Sequence, residues 1–232
     1  MASRAEPAAA VESAGQRVNT LPADWLARLR RSLAVTPDHD PAHWHLAGRP
    51  LAEAALETAA RAAMPRTPRA AAVLVPIVDR PLSPSLLLTA RASHLRHHAG
   101  QVSFPGGGIE ANDEDVVAAA LRETREEIGI DGRYIEPLGF LPDQIVLTGF
   151  RITPVVALVR PEFSLQIDES EVTEVFEIPL DFIIDPGNYI PVRRVLRGVE
   201  VTLNDLHYRG HVVWGATAGM LQVLHRALQD AP

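Results

Sequence analysis

The stretch GGGIEANDEDVVAAALRETREEIGI, residues 106–130, carries the strongest fold signal in the chain. Apolar residues recur in it at helical spacing, which predicts a helix over about 116–128 that ends at Gly129. Asn112 and Asp113 are suitable N-caps, and the acids that follow suit the positive end of the helix dipole. The buried stripe that should pack on a sheet consists of Val117, Ala120, Leu121, Thr124 and Ile128.

The same helix carries three glutamates, Glu123, Glu126 and Glu127, whose spacing puts them on one face. Each like-charge pair costs about 0.2–0.5 kcal/mol if nothing intervenes. One interpretation is a solvated acidic face relieved by Arg122 and Arg125. We expect both arginines to lie round the helix from the glutamates, whereas the preceding glycines expose carbonyl oxygens beside them. Such oxygen donors favour a divalent cation, Mg²⁺ or Mn²⁺, and with it phosphoryl or pyrophosphate chemistry.

Composition limits what the rest of the chain can be. The 232 residues are 47% hydrophobic, enough for one sizeable domain with an extension. The formal net charge of -7 argues against broad binding to nucleic acid or to an anionic membrane. Because the chain has no cysteine, thiol nucleophiles, disulfides and thiolate metal sites are excluded. No apolar run is long enough to span a bilayer, and the expected location is the cytoplasm.

Apolar runs of strand and helix period predict an α/β domain with a mixed sheet. The runs AAVLVPIVD (71–79) and SLLLTAR (85–91) are joined by turn residues and predict a hairpin. A second long helix is expected near 212–228. Further strands are predicted at YIEPLGFL (134–141), ITPVVALVR (152–160), TEVFEIPL (173–180) and YIPVRRVL (189–196).

Residues 1–67 are interpreted as an N-terminal extension and residues 68–232 as the main domain. Residues 1–20 have the composition of a disordered tail, and helices are expected from Leu21 and near 51–63. The helix from Leu21 should pack on the domain through Trp25, Leu26, Leu29 and Leu33. The proline-punctuated segment 36–50 is interpreted as a solvated loop rather than a metal site, because no carboxylate pattern around its histidines resembles a catalytic zinc site. The histidines are His39, His43 and His45.

The spacing of the residues around the glutamates is specific, and it involves Gly108, Glu114, Arg122, Glu123, Glu126, Glu127, Gly129 and Ile130. It reproduces the Nudix box, and the chain resembles a Nudix hydrolase. Thr124 departs from the usual aliphatic residue, at a packing position. The resemblance implies an α/β/α sandwich with a mixed β-sheet that hydrolyses nucleoside diphosphates linked to another moiety. It implies that Glu123 and Glu127 are the main metal ligands. It further implies that Glu126 is a third ligand or the base, and that Arg122 orients a neighbouring glutamate.

Directly before the glycines the chain reads LLTARASHLRHHAGQVSFPGG, residues 87–107, a basic island in an acidic protein. Its sign suits a polyphosphate ligand, because arginine forks bind phosphate oxygens and Gly100 and Gly106 let backbone approach closely. The alternative is an exposed basic loop, which would not require the particular residues FPGG after it. The basic residues are Arg91, His94, Arg96, His97 and His98.

This segment is similar to the signature of the coenzyme A diphosphatase subfamily, at Leu87, Leu88, Thr89, Arg91, Ala92, Arg96, Gly100, Phe104, Pro105, Gly106 and Gly107. The sequence VWGATAG from Val213 resembles the C-terminal helix of that subfamily, so the likeness spans about residues 70–228. It implies hydrolysis of coenzyme A or its thioesters at the pyrophosphate, giving adenosine 3′,5′-bisphosphate and (acyl-)4′-phosphopantetheine. The substrate-binding candidates are Arg91, Arg96, Gln101, Phe104, Gly106 and Gly107.

Acids of the segment DESEVTEVFE, namely Glu169, Glu171 and Glu174, are candidates for an additional base or ligand, with solvated loop acids as the alternative. Glu171 joins Glu126, Glu123 and Arg122 among the catalytic candidates. Two other functions stay open: a Nudix hydrolase of another diphosphate, such as an ADP-sugar, a dinucleotide or a nucleoside triphosphate, and a catalytically silent ligand sensor. Intact glutamates argue against the sensor. The expected partner is a small molecule rather than nucleic acid or membrane, and a homodimer is compatible with the sequence.

Overall fold

The computed structural model describes residues 20–51, 58, 60, 64–94, 100–196 and 198–229. In this part of the chain ten strands form one mixed sheet in the order β10-β4-β3-β9-β8-β1-β2, with β5 beside β4, β6 beside β3 and β7 beside β9. The pairs β3/β9 and β1/β8 are parallel, and the others are antiparallel. The strands are β1 (His45–Leu46), β2 (Arg49–Pro50), β3 (Arg69–Val78), β4 (Ser85–Arg91), β5 (Val102–Ser103), β6 (Gly106–Gly108), β7 (Ile135–Phe140), β8 (Gln144–Val146), β9 (Phe150–Val159) and β10 (Val172–Pro179).

Helices cover both faces of this sheet. The strand period of two sends alternate residues to two separate cores. On β3 one core receives Val73, Val75 and Ile77, and the other receives Ala72, Leu74 and Val78. The long helix α2 packs on the second core, whereas α1 and α4 pack on the first. The predicted α/β/α sandwich with a mixed sheet is therefore confirmed. The helices are α1 (Trp25–Ser32), α2 (Val116–Ile128), α3 (Leu180–Ile183) and α4 (Gly215–Gln229).

A separate three-stranded antiparallel sheet precedes the last helix and was only partly predicted. It comprises β11 (Tyr189–Leu196), β12 (Val199–Tyr208) and β13 (His211–Val213) in that order. Of these strands only β11 was predicted. The helix expected near 212–228 begins later than predicted, because the chain is still a strand through Val213. The missed signal was alternation, since Val201 and Leu203 of β12 are buried while Thr202 between them is exposed.

The described N-terminal residues pack on the same cores as the rest of the molecule. The predicted amphipathic helix is confirmed as α1, and it buries Leu29 and Leu33 in the core that α4 also covers. The segment 36–50, expected to be a loop, instead contains a short 3₁₀ helix, Pro41–His43, and the strands β1 and β2. The tail 1–19 and nearly all of the helix expected near 51–63 lie outside the described residues.

The predicted β3–β4 hairpin is confirmed, since the two strands pair antiparallel next to their connection. Among the described residues, no helix is long and apolar enough to cross a membrane.

Candidate active site

Helix α2 presents the glutamates, and its ends are fixed by local chemistry. Its predicted bounds and its end at Gly129, which adopts φ 76°, are confirmed. The N-cap is neither Asn112 nor Asp113 but Asp115, whose Oδ1 accepts the Ala118 N–H at 2.7 Å. Asp113 is unavailable as a cap because its carboxylate already binds an arginine and the Glu110 N–H.

The buried side of α2 differs in part from the predicted stripe. Ala120, Thr124 and Ile128 are fully buried as expected, whereas Val117 and Leu121 are only half-buried. Glu127 is buried as well, with 2% of its surface exposed. A buried glutamate on the sheet-facing side of a helix is costly, which makes this residue a candidate for a functional role.

The glycine strand β6 brings backbone unusually close to the carboxylates. The Gly106 N–H donates to Glu127 Oε2 at 3.3 Å. Gly106 has φ 152°, and a side chain there would run into Ala72 of β3. A Cβ on Gly107 would lie 2.5 Å from the Glu123 carboxyl carbon. Gly107 therefore leaves room for the Glu123 side chain, which a larger residue would displace, whereas Gly106 lets this strand lie close against β3.

Burial sets the proton affinity of the two inner glutamates. It raises the pKa of Glu127 to about 8, with further raising by Glu171 and Glu123, against lowering by Arg91 and the Gly106 N–H. Burial also raises the pKa of Glu123, although the Arg122 guanidinium opposes the shift. These buried carboxylates need more positive charge than the neighbouring side chains supply.

Arg122 lies among the carboxylates rather than round the helix from them, so the expectation from helical spacing was wrong. Its contacts agree instead with the role that the Nudix resemblance implied, that of orienting a neighbouring glutamate. Its Nη1 donates to Glu123 Oε1 and to Glu126 Oε2, both at 3.0 Å. Its Nη2 donates to the Gly108 carbonyl, and Asp113 accepts from the other edge of the guanidinium. A long side chain at i reaches the i+4 position on the same face, which explains the contact with Glu126. Arg125, by contrast, is exposed.

No group of three or more histidine, aspartate or glutamate side chains in the described ranges is arranged to hold a metal ion as it stands. Arg122 takes an oxygen of both Glu123 and Glu126. The donor set nevertheless fits a hard divalent cation, because it consists of carboxylates, two of which burial makes reluctant to ionise without a positive partner. The space that Gly107 leaves beside Glu123 supports the same fit.

The substrate-binding candidates fall in different places. The Nη1 atom of Arg91 lies 3.6 Å from Glu127 Oε1, so this arginine joins the basic island to the carboxylates. The Gln101 carbonyl accepts the Arg91 N–H, and Phe104 is buried in the core. His94 reaches the Ser170 carbonyl. Arg96, His97 and His98 lie outside the described residues.

The acidic segment after β9 contributes one carboxylate to the cluster. Glu171 raises the pKa of both Glu123 and Glu127, and its carbonyl accepts the Ala92 N–H at 2.8 Å. Glu174 faces away toward His211, 3.4 Å from its Nε2. Asp113, which holds Arg122, was not singled out for this role by the sequence. No local pattern would have found it, because the contact spans nine residues of turn and helix.

In this α/β/α sandwich the glutamates of one helix, an arginine and a glycine strand converge, an oxygen-donor arrangement of the kind that supports metal-assisted hydrolysis. The sequence pattern of the NUDIX domain matches residues 68–197. Two proteins named "Uncharacterized Nudix hydrolase NudL", from Salmonella paratyphi B and Salmonella newport, are each 46% identical over 156 residues, covering 67% of this chain and 81% of the relative. The chain belongs to the Nudix family.

Solved Nudix structures are similar at lower identity. A Nudix hydrolase from M. smegmatis, RenU, is 19% identical with a TM-score of 0.46, covering 71% of this chain and 88% of that chain. A MutT/nudix family protein from Enterococcus faecalis is 20% identical with a TM-score of 0.48, covering 71% of this chain and 64% of that chain. As a Nudix hydrolase, this protein acts on nucleoside diphosphate derivatives and uses a divalent metal such as Mg²⁺ or Mn²⁺.

Proposed function

We propose that the protein hydrolyses the pyrophosphate bond of coenzyme A or its thioesters, releasing adenosine 3′,5′-bisphosphate and (acyl-)4′-phosphopantetheine. One observation carries the proposal: Arg91, part of the segment that resembles the coenzyme A diphosphatase signature, lies 3.6 Å from Glu127 of the Nudix box. A cation at this distance from the carboxylates is placed to hold a phosphate of the substrate next to them.

In this proposal Glu123 and Glu127 would hold Mg²⁺ or Mn²⁺, and Glu126 would be either a third ligand or the base. The metal supplies neutralisation of the diphosphate and of the charge that develops on it. Arg122 positions Glu123 and Glu126, and Asp113 holds Arg122 in place. The Gly106–Gly107 backbone lets the substrate approach the carboxylates closely. Phe104, two residues before Gly106, is buried in the core and anchors the segment that leads into this strand.

The chemical step consists of water attacking one phosphorus in line. The bond from that phosphorus to the bridging oxygen breaks, and the attacking water gives its proton to a carboxylate. Two side chains are placed to accept it: Glu126, which is exposed, and Glu171, which lies within electrostatic reach of Glu123 and Glu127. Mutation of each candidate to glutamine identifies the base. The variant that remains folded but loses the acidic limb of the pH profile of kcat has lost the base.

Arg91→Ala tests the substrate assignment. Loss of a charge-assisted phosphate contact costs about 1.5–3 kcal/mol, so kcat/KM for coenzyme A should drop about tenfold or more. The matched control is Arg80→Ala, which removes an arginine paired with Glu177 elsewhere on the sheet. If Arg91 binds the 3′-phosphate, the preference for coenzyme A over 3′-dephospho-coenzyme A should shrink in the variant. If it binds the diphosphate instead, kcat/KM should fall by the same factor for both compounds.

A wild-type protein that prefers ADP-ribose or a dinucleotide to coenzyme A would overturn this substrate and leave only the Nudix chemistry. The cytoplasmic location and the choice between monomer and homodimer stay predictions of the sequence, as does the boundary between residues 67 and 68.

A further inference from the structure

The loop between β9 and β10, residues 160–171, is mostly exposed, and hydrogen bonds tie it to the end of α2. The Gln166 N–H donates to the Ile128 carbonyl, and the Asp168 N–H donates to the Glu127 carbonyl, both at 2.9 Å. The last carbonyls of a helix have no partner within the helix, so this loop supplies the missing donors. The loop is thereby attached to the helix that carries the carboxylates.

Asp168 also builds the turn that leads to Glu171. Its Oδ1 accepts the Ser170 N–H at 2.9 Å and the Ser170 hydroxyl at 2.6 Å. Its carbonyl accepts the Glu171 N–H at 3.0 Å and the Val172 N–H at 2.9 Å. Aspartate side chains fix turns by binding the backbone two residues further on. The hydroxyl and the N–H of Ser170 lower the pKa of Asp168, which keeps its carboxylate ionised and a strong acceptor.

The other side of this turn is attached to the segment that follows β4. The Glu171 carbonyl accepts the Ala92 N–H at 2.8 Å, and the His94 Nε2 atom lies 3.1 Å from the Ser170 carbonyl oxygen. The backbone of Glu171 is therefore held from two directions, by Asp168 on the side of α2 and by Ala92 on the side of the basic island.

The position of this backbone matters because packing does not fix the Glu171 side chain. Glu171 is exposed, and a glutamate side chain has several freely rotating bonds. Its charge nevertheless raises the pKa of both Glu123 and Glu127, so it acts on the cluster from the exposed side. A displacement of about 1 Å in an active site can cost about 100-fold in rate. The turn therefore controls how effectively the Glu171 carboxylate can serve the reaction.

We propose that Asp168 is a positioning residue for the hydrolytic reaction, because it fixes the backbone of Glu171 relative to the end of α2 and so places the Glu171 carboxylate at the cluster. The inference rests on the proposed function for the participation of Glu171 in the reaction, as base or as additional ligand. It does not depend on coenzyme A being the substrate.

The test is a double-mutant cycle of Asp168→Ala and Glu171→Gln in the full-length protein at saturating Mg²⁺. Hydrolysis of coenzyme A and of ADP-ribose is measured, and the cycle uses the compound that wild type cleaves faster. Each single variant should lower kcat about tenfold or more and leave KM within about threefold of wild type. In the Glu171→Gln background, Asp168→Ala should lower kcat by less than about twofold further, because no carboxylate is left to position.

Two further variants separate positioning from a general effect on the fold. Asp168→Asn should keep kcat within about threefold of wild type, because an amide oxygen can accept the same Ser170 N–H. Asp185→Ala is the matched control, since Asp185 Oδ1 accepts the Gly187 N–H at 2.9 Å in a similar turn after α3. It should keep wild-type kcat although it loses an equivalent contact.

Amide hydrogen exchange gives a readout that needs no substrate. In Asp168→Ala the N–H groups of Ser170 and Glu171 should exchange about tenfold faster than in wild type, because the turn that protects them opens more often. The same two N–H groups should be unaffected in Asp185→Ala.

The inference is overturned if either single variant keeps wild-type kcat, or if Asp168→Ala lowers kcat equally in both backgrounds. It is also overturned if Asp168→Asn loses as much activity as the alanine variant, or if exchange at Ser170 and Glu171 is unchanged. A wild-type protein that cleaves ADP-ribose faster than coenzyme A would refute the proposed substrate, and the cycle would still decide the role of Asp168.

Discussion

Glu127 is where folding and function oppose each other most directly. The residue is 2% exposed, and within the described part of the chain Arg91 and the Gly106 N–H are the favourable partners for its charge. Such a group destabilises the metal-free fold when ionised, and a bound cation offsets that cost. Glu127 is therefore needed for the proposed chemistry although it lowers the stability of the metal-free protein.

Glu127→Gln should keep the fold and remove nearly all hydrolysis. Because burial raises the pKa of Glu127 to about 8, the folded protein holds this proton more tightly than the unfolded chain does. Metal-free wild type should therefore lose stability as the pH rises from the ordinary carboxyl range toward 8, and glutamine should not. In EDTA, the variant's advantage in free energy of unfolding should grow by on the order of 2 kcal/mol between pH 5 and pH 8. Urea denaturation at both pH values measures it.

Turnover of this variant within a few-fold of wild type at saturating Mg²⁺ would contradict the assignment of Glu127 as a metal ligand. An advantage that shrinks with rising pH would contradict the raised pKa.

Gly107→Ala should lower activity about tenfold or more while the protein stays folded. The new Cβ would lie 2.5 Å from the Glu123 carboxylate, which is the movable end of a side chain, so the carboxylate shifts and the backbone need not. Gly132→Ala is the control, since a Cβ there meets nothing within 4 Å. The measurement is kcat/KM together with the Mg²⁺ dependence of the rate, and equal rates for both variants would show that the Gly107–Glu123 contact is unimportant.

Helix α2 shows how one element is fixed by chemistry at both ends. Gly129 ends it in the left-handed conformation, and the Asp115 side chain satisfies the Ala118 N–H at its start. Asp113 serves a different purpose, because it binds Arg122 and thereby couples the start of the helix to the carboxylates about two to three turns along it.

Asp115→Ala should therefore cost about 1 kcal/mol of stability, the usual penalty for losing an N-cap. Asn112→Ala should cost little, because Asn112 is exposed and is not the cap. Chemical denaturation of the two variants side by side gives the comparison. A larger loss for the Asn112 variant would mean that the helix begins earlier than Val116.

The described part of the N-terminal extension packs on the main domain and forms one unit with it. Leu29 of α1 and Leu33 just after it share a core with Ile77 of the central sheet, and the Leu21 N–H donates to Asp181 at 2.7 Å. His39 also binds the buried carboxylate of Asp143 at 2.8 Å. These contacts make residues 21–46 part of the fold that supports the site.

Deletion of residues 1–20 should leave activity and melting temperature unchanged, because this tail has the composition of a disordered segment and lies before the first contact named above. Deletion of residues 1–34 should lower stability markedly, because it exposes the core beneath α1. Thermal melting and a turnover assay on both truncations test this pair. Loss of activity in a folded protein that lacks only residues 1–20 would contradict the interpretation of the tail.

The sequence alone determined the fold class and the limits of α2, and it singled out the glycines and the glutamates as candidate site residues, because each depends on local rules. Helical period places glutamates on one face, left-handed backbone selects glycine, and alternate burial marks strands such as β3 and β4. Family membership followed from the same local spacing and agrees with the matched domain at residues 68–197.

Tertiary structure alone decided which partners those residues have. Arg122 was expected away from the glutamates but binds two of them, and Asp113 was expected to cap the helix but holds Arg122 instead. Glu171 enters the cluster across a chain separation that no local pattern encodes. The physical reason is that a long polar side chain selects its rotamer from the charges that folding brings within reach, and sequence spacing does not specify those distances.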